Sequence, residues 1–330
     1  MIQKNAGLGM HKSGSCNRKL IPICSSVLIL DQIDKMIIQE LRNNCRISFE
    51  NLARECGISA NAVKRRVNKL VEVGIIEKFV INLSLEMMNG QYLIGSIKTD
   101  GDEDENEFVN LVGKYSMVTH SFYDSLGYCV LFAEVPGAKG FSELGSYLRS
   151  LKHTKEVSLH PLPRDRGGII DLTPTHLKVL QILRDNPRIA ISTLAKKTGL
   201  TARKARKAVN QLIDSQAIRF TFHLKLNAGG ATMFVIRLTW DEKQTNETKI
   251  INWFKSNYDQ EFWYHYTSAA EPVIWAILVV DHMRETEPIL RNLKLVSSVN
   301  ATNMVFPYPE KRFKGLGNVM LDELLEPLDH

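Results

Sequence analysis

The chain has 330 residues, 44% of them hydrophobic, with a formal net charge of +6 and a pI near 8.9. That length holds at least two domains, and four small ones fit. No apolar run reaches the roughly 20 residues that span a bilayer, so no membrane partner is expected. The modest positive charge is compatible with a polyanionic partner without establishing one.

Residues 1–29 read as a disordered N-terminal segment. Within them the apolar stretch beginning at Leu20 follows Lys12, Arg18 and Lys19 and so mimics a secretion signal. Pro22 and two serines interrupt it, and Leu28 to Leu30 lead directly into the first helix. The five cysteines (Cys16, Cys24, Cys45, Cys56, Cys129) form no CxxC pair and no metal-ligand spacing. An odd, scattered set of thiols suits a reducing cytoplasm, and no metal is expected.

From residue 30 to 83 the pattern is that of a winged helix-turn-helix. Asp31 can cap a helix whose apolar face is Ile33, Ile37, Ile38 and Leu41. Ser48 can cap a short second helix carrying Leu52 and Ala53, which Gly57 ends. Ser59 opens a third helix with Val63, Val67 and Leu70 on one face. After Gly74 the β-forming run from Ile75 to Leu83 would supply the wing.

Residues 84–161 then read as β-α-β-β-α-β. The strands are expected over Tyr92–Lys98, Val118–Tyr123, Cys129–Glu134 and Thr154–His160, with helices over Glu105–Lys114 and Phe141–Leu151. That order is the ferredoxin-like split βαβ. Its two helices cover one sheet face, and the other needs a dimer partner or the opposite half of the chain. Residues 162–171, rich in proline and glycine with their flanks, read as a linker.

Beyond the linker the chain repeats itself. A shift of 142 residues lays Leu30–Ile76 over Leu172–Ile218 without a gap, matching Leu41-Arg42 to Leu183-Arg184 and Arg46-Ile47 to Arg188-Ile189. Leu52-Ala53, Gly57, Val67-Asn68 and Leu70 also find their counterparts. A second winged helix-turn-helix is therefore expected over 172–226 and a second ferredoxin-like module over 227–309. Residues 310–330 are left as a C-terminal tail. The fold class is α+β: tandem winged helix-turn-helix domains, each followed by a ferredoxin-like βαββαβ module.

The chemistry concentrates on the third helix of each copy. With Val63, Val67 and Leu70 inward, Ser59, Asn61, Lys64, Arg65, Asn68 and Lys69 fall at its start or on its outer side. Lys64, Arg65, Arg66 and Lys69 against Glu72 make that helix strongly positive. In the second copy Arg203, Lys204, Arg206 and Lys207 face only Asp214. Cations neutralise phosphates, and forked or amide donors read base edges in the major groove, so double-stranded DNA is the expected partner.

Enzyme signatures are scarce: there is no GxSxG, Walker loop, HExxH or dinucleotide fingerprint. No catalytic residue and no cofactor are expected. The acidic run from Asp100 to Glu107 lacks the ordered spacing of a calcium loop and suits the start of the following helix. The cluster Phe262-Trp-Tyr-His-Tyr266 reads as core and interface, and His120 and His265, on equivalent strands, as packed residues.

At these residues the chain resembles the Lrp/AsnC (feast/famine) transcriptional regulators. The resemblance rests on Leu30-Asp-Gln-Ile-Asp34, Leu41 to Ser48, Leu52-Ala53, Gly57 to Val63, Arg66-Val67, Leu70 and Gly74-Ile-Ile76. It implies DNA binding through the third helix and assembly through the α/β module, as a homo-oligomer or an intrachain pseudo-dimer. In that family the module often senses amino acids; the Gly-x-Tyr-Asp turn expected there stands only as Tyr123-Asp124-Ser-Leu-Gly-Tyr128, so any small-molecule effector stays unspecified. The second copy departs from the pattern, with Thr173 and His176 for the two aspartates and Ala208 for Arg66. An alternative on the same architecture is a sirohaem decarboxylase-like enzyme. Val118-Thr-His120 with Phe122-Tyr123 resembles the histidine-bearing strand of those proteins, but their Trp-Pro-Tyr-Asn stretch is absent.

Overall fold

The structure, a computed structural model, describes residues 30–163 and 165–326. The expectation for residues 1–29, with Cys16 and Cys24, lies outside the described residues.

The first head is built from α1 (Gln32–Asn43), α2 (Phe49–Cys56) and α3 (Ala60–Glu72), followed by β1 (Ile76–Leu83). Each helix starts where a side-chain oxygen takes up a free N–H: Asp31, Ser48 and Ser59 accept from Asp34, Asn51 and Ala62. Gly57, at φ 66°, ends α2 in the left-handed region and makes the tight turn into α3. The apolar faces of all three helices meet in one core of Ile37, Ile38, Leu41, Leu52, Val63, Val67 and Leu70.

The first module follows as β2 (Gly90–Thr99), α4 (Glu105–Gly113), β3 (Val118–Tyr123), β4 (Tyr128–Pro136), α5 (Gly137–Ser150) and β5 (Thr154–Leu162). The second head is α6 (Pro174–Asp185), α7 (Ile191–Thr198), α8 (Ala202–Asp214) and β6 (Ile218–Leu224). The second module is β7 (Thr232–Trp240), α9 (Glu247–Asn257), β8 (Phe262–Thr267), β9 (Val273–Val280), α10 (Thr286–Lys294) and β10 (Val299–Val305). The strand orders β5-β2-β4-β3 and β10-β7-β9-β8 are antiparallel and follow one topology, so the two modules are ferredoxin-like copies.

Three features differ from the expectations. The strand after each third helix is present, but it forms no hairpin wing within its own head. Instead β1 pairs antiparallel with β6 of the other head. The 142-residue shift maps the Phe79–Phe222 pair onto Val80–Thr221, so this ribbon carries a pseudo-twofold axis at its middle. Two equivalent arginines repeat that symmetry. Arg46 donates to the carbonyls of Pro187 and Ile189, and Arg188 donates to that of Cys45.

Secondly, residues 310–326 of the expected C-terminal tail form an ordered strap. β11 (Glu310–Arg312) adds to the edge of the first sheet beside β3, and α11 (Leu316–Leu325) packs on β1, α6 and β4. Leu321 and Leu325 of α11 are fully buried in the second head's core. A short amphipathic segment gave no sign of this because its partners lie far away in the chain.

Thirdly, the packing is crossed. The first head's core continues into Trp263, Ile277 and Val279 of the second module, and Lys35 of α1 donates to the carbonyls of Asp259 and Phe262. The second head packs on Leu83, Leu85, Met88 and Tyr92, which lead into the first module. The sheet faces left open by their own helices meet each other through Ile94, Phe122, Phe132, Val273 and Trp275. The intrachain partner thus covers the face that a dimer would. Tyr128 flanks this contact, while Trp263 packs on the first head instead.

The linker between halves passes through a narrow gap. A Cβ on Gly168 would stand 2.0 Å from the Ser215 carbonyl oxygen, so only glycine fits where the chain crosses the end of α8.

Candidate nucleic-acid interface

Helix α3 presents two faces of opposite character. Val63, Val67 and Leu70 are buried, while Ser59, Asn61, Lys64, Arg65, Asn68 and Lys69 are all exposed. Helix α8 repeats this with Ala205, Ala208, Val209 and Leu212 inward, and Arg203, Lys204, Arg206 and Lys207 exposed. Neither helix has an acidic residue in its first turn. The positive end of the helix dipole and the side-chain cations therefore point the same way. Ser59 spends its hydroxyl on the cap, accepting from the Ala62 N–H at 3.2 Å, and Thr201 does the same for Lys204 at 3.3 Å.

Arg66 is not part of the free cationic face. Its guanidinium bridges Asp31 and Asp34 of α1 at 2.8 Å each, and so clamps α3 to the start of the first helix. Burial raises the Asp34 carboxyl above its ordinary range, with Arg66 opposing that shift. In the second head the same seam carries a histidine and a glutamine instead. His176 Nε2 and Gln211 Oε1 lie 3.1 Å apart, and His176 completes a capping box with Thr173.

Two cations escaped the sequence reading. Lys196 and Lys197, exposed in the last turn of α7, stand where the first head has Arg54 and Glu55. The 142-residue alignment carried that signal, since it replaces a self-neutralising pair by two charges of one sign.

Elsewhere, Asp100, Glu103 and His153 bring three potential ligand atoms within 4.8 Å of one another. Each already has a protein partner: His153 binds Asp100 at 2.9 Å, and Glu103 accepts from Thr99 and Tyr123. His120 pairs with Glu310 of the strap at 3.0 Å, and His265 lies 3.6 Å from Glu247.

A capped, exposed, basic third helix set behind a glycine turn, present twice on one pseudo-twofold frame, defines a paired winged-helix DNA-binding protein. A family model described as winged helix-turn-helix DNA-binding matches residues 30–77 and 172–219. An uncharacterized HTH-type transcriptional regulator of Pyrococcus furiosus is 34% identical over 104 residues, covering 28% of this chain and 70% of that protein. The HTH-type transcriptional regulator LysM of Sulfurisphaera tokodaii is 39% identical over 57 residues, 17% of this chain and 41% of its own length. The chain belongs to the Lrp/AsnC family of HTH-type transcriptional regulators, in a duplicated two-unit form. In architecture it is similar to the siroheme decarboxylase NirDL, with a TM-score of 0.57, 14% identity, and coverage of 90% of this chain and 100% of that one. That likeness carries the fold and not the chemistry.

Proposed function

We propose that the chain reads double-stranded DNA as a transcriptional regulator, with the outer faces of α3 and α8 entering the major groove. The observation that carries this is the matched pair of exposed basic helices, each held rigid by a cap, a glycine turn and a buried apolar face. Asn61, Lys64, Arg65, Asn68 and Lys69 supply amide and forked donors together with charge, the mixture that base-edge contacts need. Arg203, Lys204, Arg206 and Lys207 put four cations on α8 with no amide at the position equivalent to Asn61, and such charge grips phosphate on any sequence. The division is a reader in the first head and a clamp in the second.

On this reading the protein works without a cofactor or catalytic chemistry in a reducing compartment, consistent with Cys45, Cys56 and Cys129 as separate buried thiols. One chain already supplies two heads, so it acts as an intrachain pseudo-dimer, and higher assembly would use outer surfaces. Mapping chromatin-bound sites, followed by titration of an enriched duplex, tests the proposal. Absence of enriched sites together with equal affinity for every duplex would reject it.

A second reading is favoured by one observation: the architecture shared with NirDL over nearly the whole chain, with His120 facing the seam between modules. Sirohaem titration followed by absorbance separates the two. A saturable shift that disappears in His120→Ala would bring the enzyme forward.

A further inference from the structure

The two DNA-binding heads are copies, yet different devices hold them to the rest of the molecule. The first is anchored through α1. Gln32 donates to the Asp259 carboxylate at 2.8 Å, and the buried Lys35 ammonium donates to the Phe262 carbonyl at 2.6 Å. In the last turn of the same helix the Arg42 guanidinium stacks on Tyr264, 4.3 Å from the ring centre. All these partners belong to the second module.

The second head has lost most of this set. The 142-residue shift places Pro174 and Leu177 where Gln32 and Lys35 stand, and neither side chain can donate a hydrogen bond. The arginine is kept as Arg184, but its partner is new: Asp322 of the strap at 3.6 Å, with the neighbouring Asp185 at 3.9 Å. Lys314, at the start of the strap, closes on the same Asp322 carboxylate. Leu321 and Leu325 of α11 share a core with Val179, Leu180 and Leu183, the apolar face of α6.

The other end of the strap is fastened to the first module. β11 lies along β3, His120 meets Glu310 at 3.0 Å, and Phe313 fills the space over Gly113, where a Cβ would stand 2.0 Å from the ring. Between these ends the Gly317 N–H donates to Glu134 of β4 at 3.0 Å, and Glu134 also pairs with Arg219 of β6 at 3.3 Å. Asn318 donates to the Ile81 carbonyl at 3.2 Å and to the Asn82 side chain at 2.6 Å, both on β1. One segment thus grips the first module, the ribbon between heads and α6. Apolar burial is non-directional, whereas hydrogen bonds and ion pairs of this kind fix an orientation.

We propose that the strap is the positioning element of the second head: it replaces the lost anchor of the α1 type and fixes where α8 stands relative to α3. The proposal rests on the regulator reading and adds what sets the spacing of its two DNA contacts. Two heads on one duplex bind as a linked pair, so the second contributes through its effective concentration at the neighbouring site. A head held in register keeps that concentration high, and a head free to swing loses it. Gly317 and Asp322 are positioning residues that act on DNA only through α6.

Spin labels on Glu50→Cys and Ser192→Cys, equivalent exposed positions at the starts of α2 and α7, report the distance between heads by pulsed electron resonance. The full chain with Cys16→Ser and Cys24→Ser is the background, and no DNA is added. A single narrow distance is expected. Gly317→Val should broaden it, because a Cβ there meets the Leu83 carbonyl oxygen at 3.2 Å and the Glu134 carboxylate at 3.3 Å and lifts α11 away from both. Asp322→Arg, which sets a third cation against Arg184 and Lys314, should broaden it too, while Asp322→Glu keeps the pairing and should leave it narrow. Asp322 is partly exposed, so its variants stay informative should Gly317→Val unfold the head. The unlabelled proteins are then titrated with a random-sequence duplex of about four helical turns. Gly317→Val and Asp322→Arg should bind about tenfold more weakly, with a shallower salt dependence, and Asp322→Glu should match the unmodified chain. A distance that stays narrow in both disrupting variants overturns the proposal, as does a broadened one with duplex affinity and salt dependence unchanged. If the unmodified chain binds no duplex, the regulator reading falls, and the distance measurement still decides whether the strap holds the head.

Discussion

Arg65 and Arg66 are neighbours in sequence with opposite tasks. Arg65 is exposed on the outer face of α3, whereas Arg66 turns back to bridge Asp31 and Asp34. Arg65→Ala should therefore cost about 1–3 kcal/mol on a specific duplex if it reads guanine, and leave the melting temperature unchanged. Competition titrations against random DNA measure this, and an unaltered specific-to-random ratio would remove Arg65 from the readers. Arg66→Ala should do the reverse. It strips the partner from the buried Asp34, and with Arg66 itself partly exposed the loss is on the order of 1 kcal/mol. Denaturant unfolding is the check, and an unchanged midpoint would show that the clamp contributes nothing. Sequence alone counted both arginines as surface charge, because helical spacing cannot tell a solvated guanidinium from one reaching another helix.

The two third helices make the same comparison at the scale of elements. Helix α8 keeps four exposed cations and gains Lys196 and Lys197 from the helix before it, yet has no counterpart of the amide Asn61, where Arg203 stands. Removing Lys204 and Arg206 together should lower affinity equally on specific and random duplexes. It should also flatten the salt dependence, by about 0.9 in log–log slope for each phosphate that is no longer neutralised. Titrations across several salt concentrations decide the matter. Reduced specificity with an unchanged slope would make the second head a reader and end the division of labour. The strand elements carry a different lesson. β9 is buried along its whole length and reads Val-Ile-Trp-Ala-Ile-Leu-Val-Val, with no polar alternation. Such a run signals a strand covered on both faces. It was the one local sign that the second module's outer face is occupied by the first module and the first head.

For the molecule as a whole, the histidines along the seam between halves predict a stability that depends on pH. Burial lowers the pKa of His120, His160, His223 and His265, all along that seam, below the ordinary value of 6.5. In the unfolded chain these imidazoles bind protons at higher pH than in the folded one. The stability they contribute is complete above 6.5 and is lost as pH falls through the lowered folded values. The melting temperature should hold steady near pH 7.5 and decline as the buffer approaches about pH 5.5. His160 faces Ser268 at 3.2 Å with no carboxylate at hydrogen-bond distance among the described residues; burial lowers its pKa, Glu271 opposes that shift, and Arg237 adds to it. His160→Gln should therefore make the decline shallower. A melting profile flat over that range, or one that His160→Gln leaves untouched, would contradict this account of the seam.

What the sequence determined by itself is what short-range physics encodes. Caps at Asp31, Ser48 and Ser59, the turn at Gly57, and the apolar stripes of α1 to α3 each depend on residues within a few positions of one another. The 142-residue repeat then duplicates that code, and strand–helix order gives the ferredoxin-like topology. The tertiary structure alone decided the crossed packing of heads on modules, the shared β1–β6 ribbon in place of two wings, and the C-terminal strap. Backbone pairing carries no side-chain label, so β1 could not announce that its partner was β6. An apolar sheet face is equally satisfied by a second chain or by the other half of its own. Here the covalent link keeps the other half at high local concentration, and the reciprocal hydrogen bonds of Arg46 and Arg188 fix the arrangement between residues more than a hundred positions apart.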